Sequence, residues 1–247
     1  MKIETVPVGD RGVPLTAYVL DFSAEMASAA IRPGVLILPG GGYFMTSDRE
    51  AEPVAMAYLA EGYNAFVLRY STGADTPFEV SYADGVAGLE YIREHAREYA
   101  IDPEHVAVVG FSAGGHLASC LGTVYEHAPS ALILGYPVTM ADLGARLGKA
   151  LPDTADAVTP ATPPTFVYAT SDDAVVPIEN SLRFCTALAR HGVPFELHIY
   201  PHGEHGLSLA KPLTAGGRAG MVNTPVQAWV AASVRFLKEQ WGDYRAA

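Results

Sequence analysis

The sequence contains few basic residues. Its 16 Lys and Arg residues are outnumbered by 27 Asp and Glu residues, so the formal net charge is −11. This charge opposes binding to nucleic-acid phosphates and to anionic membrane surfaces. We therefore expect neither nucleic acid nor a membrane among the partners of the protein.

The chain also lacks the apolar runs that membrane insertion or export requires. No segment approaches the roughly 18 uninterrupted apolar residues of a transmembrane helix, and residues 1–12 contain no apolar core of a signal peptide. These absences predict a cytoplasmic protein. Cys120 and Cys185 fall at apolar positions of predicted helices, where cysteine usually behaves as a small core residue. We assign the two cysteines no chemistry.

Sequence patterns of metal sites are missing as well. The eight histidines show neither the HExxH spacing nor an association with paired CxxC motifs. We therefore predict no metal site and no cofactor.

Short apolar runs alternate with helical patterns along the chain. The runs are nearly continuous in apolar character, which is typical of strands buried on both faces of a parallel sheet. They cover residues 34–38, 65–68, 106–109, 131–134 and 166–168, and a last strand is predicted at 195–199. Helical patterns cover residues 50–60, 82–99, 113–125, 180–190 and 226–241. This order predicts a doubly wound α/β domain with helices on both faces of the sheet.

Three further segments complete the predicted architecture. Residues 2–8 and 15–20 alternate between apolar and polar residues and predict antiparallel strands at one edge. The proline-rich stretch 138–164 predicts a small cap over the carboxyl ends of the strands. Because no repeat, low-complexity tract or linker divides the chain, residues 1–247 are predicted to form one domain.

A serine stands where a predicted strand gives way to a helix. The sequence Gly110-Phe111-Ser112-Ala113-Gly114 follows four apolar residues and precedes a stretch of helix formers. A sharp strand-to-helix turn of this kind can present a nucleophilic hydroxyl. A Gly-x-Ser-x-Gly match also arises by chance in a glycine-rich chain, so the pattern alone is a hypothesis.

Consecutive glycines follow the strand predicted at 34–38. Gly40, Gly41 and Gly42 leave backbone N–H groups unobstructed, as an oxyanion hole requires. A flexible turn and a phosphate-binding loop are the alternatives. The phosphate-binding loop is disfavoured because neither a GxGxxG spacing nor a following Lys-Ser/Thr is present.

Acidic residues and histidines follow the last two predicted strands. Asp172 and Asp173 come after the first of them, and His202 and His205 come after the second. A serine hydroxyl needs a base within hydrogen-bond reach, and a carboxylate on the other ring nitrogen fixes the tautomer of a histidine base. The order Ser, Asp, His is typical of α/β-hydrolase triads. An acid at this point can also cap the next turn, and spacing alone does not separate the two acids or the two histidines.

Several motifs together resemble a known family. The stretches PGGGYF, RYS, IDPEHVAVVGFSAGGHLAS, SDDAVVPIENS and PHGEHGLSLA are similar to those of the bacterial α/β-hydrolase family of acetyl esterases. This family includes acetylxylan-esterase-like enzymes related to prolyl oligopeptidase-like hydrolases. The resemblance extends from around residue 33 to the final helix, and it departs from many related esterases at Pro39, where they carry histidine.

The resemblance implies a set of catalytic residues. The family's triad consists of the serine of GFSAGG, the aspartate four residues before the proline of DxxVP, and the histidine of the last HG pair. Carried onto this sequence, these residues are Ser112, Asp173 and His205. The N–H groups expected to form the oxyanion hole belong to Gly41, Gly42 and Ala113.

Four other residues are considered for a catalytic, substrate-binding or packing role. Tyr43, just after the glycines, is expected to line the substrate pocket, with packing against the cap as the alternative. His116 shares a helical face with Ser112, and we expect it to pack rather than act as a second base. His198 is expected to be structural, and Glu204 is a candidate contact to the substrate.

The expected function is the hydrolysis of small acyl esters, above all acetyl esters, through an acyl-enzyme. The resemblance implies acetylated sugars or xylo-oligosaccharides as substrates. A peptidase or amidase related to the prolyl oligopeptidases is one alternative, and a binding protein that keeps the hydrolase fold without activity is another. Residues 138–164 and 207–225 are expected to set the acyl chain length and the alcohol group, and the sequence does not reveal the oligomeric state.

Overall fold

The computed structural model describes residues 1–242, and within them eight strands form one sheet. The strands are β1 (Lys2–Val8), β2 (Val13–Val19), β3 (Arg32–Leu38), β4 (Asn64–Leu68), β5 (Ile101–Phe111), β6 (Ala131–Gly135), β7 (Thr165–Thr170) and β8 (Phe195–Tyr200). Their order across the sheet is β1-β2-β4-β3-β5-β6-β7-β8. The pairings β1 with β2 and β2 with β4 are antiparallel, and the pairings from β4 to β8 are parallel. The predicted mostly parallel sheet, with antiparallel strands at one edge, is confirmed.

Helices cover both faces of this sheet. They are α1 (Glu52–Ala60), α2 (Phe78–Glu94), α3 (Ala113–Thr123), α4 (Asp142–Leu147), α5 (Glu179–Arg190) and α6 (Trp229–Trp241). Leu89 of α2, Leu117 of α3 and Phe184 of α5 belong to the core on one face. Tyr58 of α1 and Trp229 of α6 belong to the core on the other face. The central strands are therefore buried on both sides, which explains their continuous apolar runs.

The ends of the elements differ from the predicted ones by a few residues. Helix α2 begins at Phe78 rather than at residue 82, because Pro77 occupies its N-cap in an extended conformation. The same helix ends at Glu94, and the chain then turns through Ala100, whose φ is +49°, into β5. No helix among the described residues has both the length and the apolar character to cross a lipid bilayer.

Both cysteines are free and buried, as predicted. Cys120 lies on α3 and Cys185 on α5. Burial raises the pKa of Cys185 to about 12 and also raises that of Cys120, so both remain neutral thiols at neutral pH.

The segment between β6 and β7 borders the carboxyl ends of the strands. It contains α4 and contributes Val138 and Leu143 to the cavity in front of Ser112. The buried ammonium group of Lys149 donates to the carbonyl oxygens of Gly73 and Thr76 at 2.8 and 2.6 Å. These charge-assisted bonds attach the segment to the loop after β4.

Four parallel strands place the candidate residues at one edge of the sheet. The glycine loop follows β3, Ser112 follows β5, Asp173 follows β7 and His205 follows β8. Since parallel strands point in one direction, the loops at their carboxyl ends converge.

Candidate active site

Ser112 occupies a strained turn between β5 and α3. Its φ of +52° and ψ of −117° lie in a region that residues with side chains rarely adopt. Such a conformation costs on the order of 1–3 kcal/mol and persists only where the surrounding structure enforces it. The turn places the side chain of Ser112 at the amino-terminal end of α3.

Two glycines make this turn sterically possible. A Cβ atom on Gly110 would lie 2.3 Å from the carbonyl oxygen of Gly114, and one on Gly114 would lie 2.1 Å from that of Leu38. Both distances are far below van der Waals contact. The glycines of the Gly-x-Ser-x-Gly motif are therefore required by the close approach of α3 to β3 and β5.

A continuous hydrogen-bonded chain joins Ser112 to a buried carboxylate. His205 Nε2 lies 2.8 Å from Ser112 Oγ, and His205 Nδ1 lies 2.7 Å from Asp173 Oδ2. Asp173 Oδ1 accepts bonds from the N–H groups of Val175 and Val176 at 2.8 and 3.0 Å. The side chain of Asp173 is 1% exposed and that of His205 is 16% exposed. The structure thus brings together the three residues that the resemblance implied.

A second Asp–His pair lies beside this chain and is exposed. Asp172 Oδ2 lies 2.9 Å from His202 Nδ1, and Asp172 Oδ1 accepts from the N–H of Gly203 at 2.8 Å. The side chains of Asp172 and His202 are 48% and 85% exposed. The hydrogen bond from His202 holds the pKa of Asp172 below its usual value. This exposed pair provides matched controls for the buried one.

The glycine loop lies next to Ser112 and lines the same cavity. Gly41 has a φ of +134° and Gly42 a φ of +65°. A Cβ atom on Gly41 would lie 2.2 Å from the carbonyl oxygen of Met45, so only glycine fits there. Both glycines line the same cavity as Ala113, whose N–H lies in the first turn of α3, where backbone donors lack a helical acceptor.

Glu50 is a buried carboxylate that the sequence reasoning missed. It is 2% exposed and lines the cavity together with Ser112 and His205. Its Oε2 accepts from the N–H of Gly40 at 2.7 Å, and its Oε1 accepts from the hydroxyl of Tyr136 at 2.6 Å. In the sequence, Glu50 reads as one more acidic residue at the start of a helix. No local signal distinguishes it from an exposed glutamate.

The loop around Pro39 is held without the histidine that many related esterases carry there. The hydroxyl of Tyr70 donates to the carbonyl oxygen of Pro39 at 2.6 Å. The N–H of Ser47 donates to the carbonyl oxygen of Gly40 at 2.8 Å. Together with the bond to Glu50, these contacts fix the backbone immediately before Gly41 and Gly42.

A cavity of 370 Å³ opens in front of Ser112. Its apolar lining comes from Met45, Val138, Leu143, Val175 and Val176. A second, more polar cavity of 520 Å³ lies on the other side of the site and also contacts His205. Its polar lining comes from Asp172, His202, Glu204, Arg218 and Asn223.

Tyr43 does not lie in the cavity, which corrects the expectation that it lines the substrate pocket. Its side chain is 1% exposed, and its ring packs edge-on against Tyr70 and Phe78. The left-handed φ of +63° at Tyr43 follows that of Gly42 and turns the chain so that the ring enters the core. The hydroxyl of Tyr43 bonds to Nδ1 of His116 at 2.8 Å.

His116 packs in the core, as expected, and does not contact the serine hydroxyl. Its Nε2 lies 3.0 Å from the carbonyl oxygen of Pro152, which accepts only, so Nε2 carries the proton and Nδ1 accepts from Tyr43. Burial lowers the pKa of His116 to about 4, so the ring is neutral at neutral pH. His116 therefore links the glycine loop, α3 and the segment 138–164.

The other weighed residues have polar partners on the surface. His198 bonds to Glu196 through its Nε2 at 2.5 Å, and Glu204 pairs with Arg218 at 3.3 Å. Within residues 1–242, no group of three or more His, Cys, Asp or Glu side chains is arranged to hold a metal ion.

Two family models match the chain. Residues 20–130 match the model described as BD-FAE, and residues 150–242 match the model of the prolyl oligopeptidase family. The first match includes Ser112 and the glycine loop, and the second includes Asp173 and His205.

Solved structures resemble the whole fold. MGS-M1, an α/β-hydrolase enzyme from a Medee basin deep-sea metagenome library, is 40% identical with a TM-score of 0.92, and the alignment covers 97% of this chain and 98% of that one. The carboxylesterase Cest-2923 from Lactobacillus plantarum is 30% identical with a TM-score of 0.87, again over 97% and 98% of the two chains.

A relative found by sequence comparison is also an esterase. An acetylxylan esterase from Xylanibacter ruminicola is 33% identical, in an alignment that covers 82% of this chain and 45% of that protein. An endo-1,4-beta-xylanase B from Butyrivibrio fibrisolvens is also 33% identical, over 76% of this chain. The chain spans 34% of the length of that protein and 45% of the length of the acetylxylan esterase.

Proposed function

The chain belongs to the α/β-hydrolase family of esterases, and on this basis we propose that it is a serine carboxylesterase acting on small acyl esters. The observation that carries the proposal is the continuous chain of hydrogen bonds from Asp173 through His205 to Ser112. This chain lies against a cavity that is lined by Gly41, Gly42 and Ala113 and by apolar side chains.

The first step of the proposed reaction is acylation of Ser112. In this step Asp173 accepts the Nδ1–H of His205, so that Nε2 faces the serine hydroxyl as the proton acceptor. As Ser112 Oγ attacks the ester carbonyl carbon, its proton passes to His205 Nε2. The imidazolium then returns the proton to the departing alcohol oxygen, and the acyl group remains on Ser112.

The negative oxygen of the tetrahedral intermediate is held by backbone donors. We assign this role to the N–H groups of Gly41, Gly42 and Ala113, which line the cavity beside Ser112. One such donor is worth on the order of 3 kcal/mol in the transition state. The amino-terminal end of α3 adds the favourable field of its helix dipole at the same place.

Deacylation repeats the sequence with water as the nucleophile. Water loses a proton to His205 Nε2 while its oxygen attacks the acyl carbon. The proton then passes to Ser112 Oγ as the acid leaves. No cofactor is needed to balance either half of the reaction.

The apolar lining of the cavity in front of Ser112 suits the acyl part of the ester. Val138 and Leu143, from the segment predicted as a cap, border this cavity. We therefore assign to this segment the role of limiting acyl length, with acetyl esters as the preferred substrates.

Acetylated sugars are the proposed alcohol class. The acetylxylan esterase name of one relative supports this assignment. The polar cavity beyond His205 carries carboxylate, guanidinium and amide groups that suit a hydroxyl-rich leaving group. A soluble acetylated xylo-oligosaccharide is the substrate that fits both observations.

Amide hydrolysis is the second candidate, because residues 150–242 match the prolyl oligopeptidase family. The same triad attacks amides, but an amine is a poorer leaving group than an alcohol and needs a tightly placed proton donor.

We expect kcat/KM for p-nitrophenyl acetate to exceed that for the octanoate ester by at least about 10-fold, because Val138 and Leu143 border the cavity in front of Ser112. The butyrate ester and a matched aminoacyl p-nitroanilide complete the panel, and deacetylation of xylo-oligosaccharides is measured in parallel. Leu143→Ala, which enlarges the cavity, should narrow the difference between acetate and butyrate. Faster turnover of octanoate would contradict the acyl assignment, comparable turnover of the anilide would favour an amidase, and no turnover of any substrate would favour a binding protein.

A further inference from the structure

Glu50 is the one described carboxylate that lines the cavity and has no part in the proposed proton transfers. Burying a carboxylate is costly unless several donors satisfy its oxygens. Glu50 is 2% exposed, yet its two oxygens are engaged by groups from two different loops.

One oxygen of Glu50 holds the oxyanion loop. Oε2 accepts from the N–H of Gly40, the residue before the glycines assigned to the oxyanion hole. The contact is so close that a Cβ atom on Gly40 would lie 2.8 Å from Oε2. A shift of this carboxylate therefore moves the backbone that aims the N–H groups of Gly41 and Gly42.

The other oxygen holds the loop that carries His205. Oε1 accepts from the hydroxyl of Tyr136, and that hydroxyl in turn accepts from the N–H of Ser208 at 2.9 Å. The ring of Tyr136 packs edge-on against the ring of His205, with 5.1 Å between ring centroids. Tyr136 thus connects Glu50 to the His205 loop in two ways. Its hydroxyl accepts from the backbone N–H of Ser208, and its ring contacts the ring of His205.

Arg49 reinforces the second connection. Its guanidinium donates to the carbonyl oxygen of Gly206, the residue after His205, at 2.9 Å. The hydroxyl of Ser208 also bonds to the carbonyl oxygen of Arg49. Arg49 and Glu50, which lie just before α1, therefore both hold the loop that carries His205.

We propose that Glu50 is a positioning residue whose ionised carboxylate aligns the oxyanion loop with the His205 loop and adds a second negative charge near the imidazole. This inference rests on the proposed serine esterase function. It concerns a residue that acts through Gly40, Tyr136 and His205 and does not itself touch the reacting atoms.

Both oxygens of Glu50 accept hydrogen bonds, which favours the ionised form of the carboxylate. Burial raises the pKa of Glu50, while hydrogen bonds from Tyr136 and Gly40 and the charges of His205 and Arg49 oppose the rise. The neighbouring tyrosines Tyr70, Tyr136 and Tyr168 are neutral because burial raises the pKa of each. Apart from Glu50, the acidic partner that faces His205 is Asp173.

Glutamine cannot replace this carboxylate, although it has the same shape. Gly40 and Tyr136 both donate to Glu50, so both of its terminal atoms must accept. An amide has one accepting oxygen and one donating nitrogen, so it can keep the bond from Gly40 only if the bond with the Tyr136 hydroxyl reverses direction. Glu50→Gln therefore removes the charge of Glu50 and changes its hydrogen bonds, while the volume of the side chain stays the same.

The test compares Glu50→Gln with Glu52→Gln, a change of the same type at an exposed position two residues along the chain. We expect Glu50→Gln to lower kcat on p-nitrophenyl acetate by about 10²-fold, the size of one lost oxyanion donor, while KM stays within about threefold. We also expect the acidic limb of the kcat/KM profile to move to lower pH, because loss of a nearby negative charge disfavours the imidazolium. Glu52→Gln should match the wild type in all three respects.

Tyr136→Phe provides a second test of the positioning role in case Glu50→Gln does not fold. It removes only the hydroxyl between Glu50 and Ser208, and we expect a fall in kcat of about 10-fold. A folded variant whose kcat and acidic limb equal those of the wild type, even with a lowered Tm, would overturn the positioning role.

The rate at which a fluorophosphonate labels Ser112 is measured on the same variants, because labelling also needs the oxyanion loop and His205. Slower labelling of Glu50→Gln supports the inference even if no acetate ester is turned over, in which case only the substrate assignment fails. A wild-type protein that neither turns over esters nor labels overturns both proposals.

Discussion

Replacing His205 with alanine is expected to lower kcat on p-nitrophenyl acetate by about 10⁶-fold. In the native site, His205 Nε2 is the group within hydrogen-bond distance of Ser112 Oγ, at 2.8 Å. Without it, the serine proton has no acceptor during attack and the leaving alcohol has no proton donor. The measurement is kcat under saturating ester, with folding checked by circular dichroism.

His202→Ala is the matched control for this change. His202 lies three residues before His205 in the same loop and also bonds to an aspartate, but its side chain is 85% exposed. We expect its kcat on p-nitrophenyl acetate to remain within about threefold of the wild type, because this ester lacks the sugar group that we assign to the polar cavity containing His202. The assignment of the base is wrong if His202→Ala loses the activity and His205→Ala retains it.

Replacing Asp173 with asparagine is expected to lower kcat by about 10⁴-fold while the fold is kept. The N–H groups of Val175 and Val176 donate to Asp173 Oδ1, so the amide oxygen of the variant takes that position. The amide nitrogen then faces His205 Nδ1 and donates to it. This reversal places the imidazole proton on Nε2, where it faces Ser112 and cannot accept the serine proton.

Asp172→Asn tests whether the neighbouring acid has any part in this effect. Asp172 is 48% exposed and bonds to His202 and to the N–H of Gly203. We expect a change in kcat of no more than about threefold. Equal losses in the two variants would mean that the negative charge near the site matters more than the tautomer of His205.

The sheet was predictable because burial on both faces leaves a direct mark on the sequence. Residues 34–38 and 131–134 are apolar at nearly every position, and the structure buries all of them. The order of strands and helices then restricts the topology, since parallel strands need helical crossovers.

Other features depend on contacts between distant segments, and no local sequence pattern predicts them. Glu50 reads as a helix-start glutamate, and its partners Gly40 and Tyr136 meet it only in the folded chain. Whether Tyr43 faces the cavity or the core depends on left-handed backbone angles that apolar patterning does not encode.

Spacing along the sequence does not distinguish the adjacent acids Asp172 and Asp173. Asp172 and Asp173 each bond to a histidine of the loop after β8, through nearly equal distances of 2.9 and 2.7 Å. The spacing in the chain fits either acid, and family resemblance favoured Asp173. In the structure, burial and the bond from His205 to Ser112 distinguish the two pairs.

The most direct test of the account is to treat the wild-type protein with a fluorophosphonate and to locate the adduct by peptide mass spectrometry. We predict one adduct, on Ser112, that forms in the wild type and in His202→Ala but is lost in Ser112→Ala and strongly slowed in His205→Ala. An adduct on another serine, or equal labelling of Ser112 with and without His205, would contradict the claim that this imidazole activates Ser112.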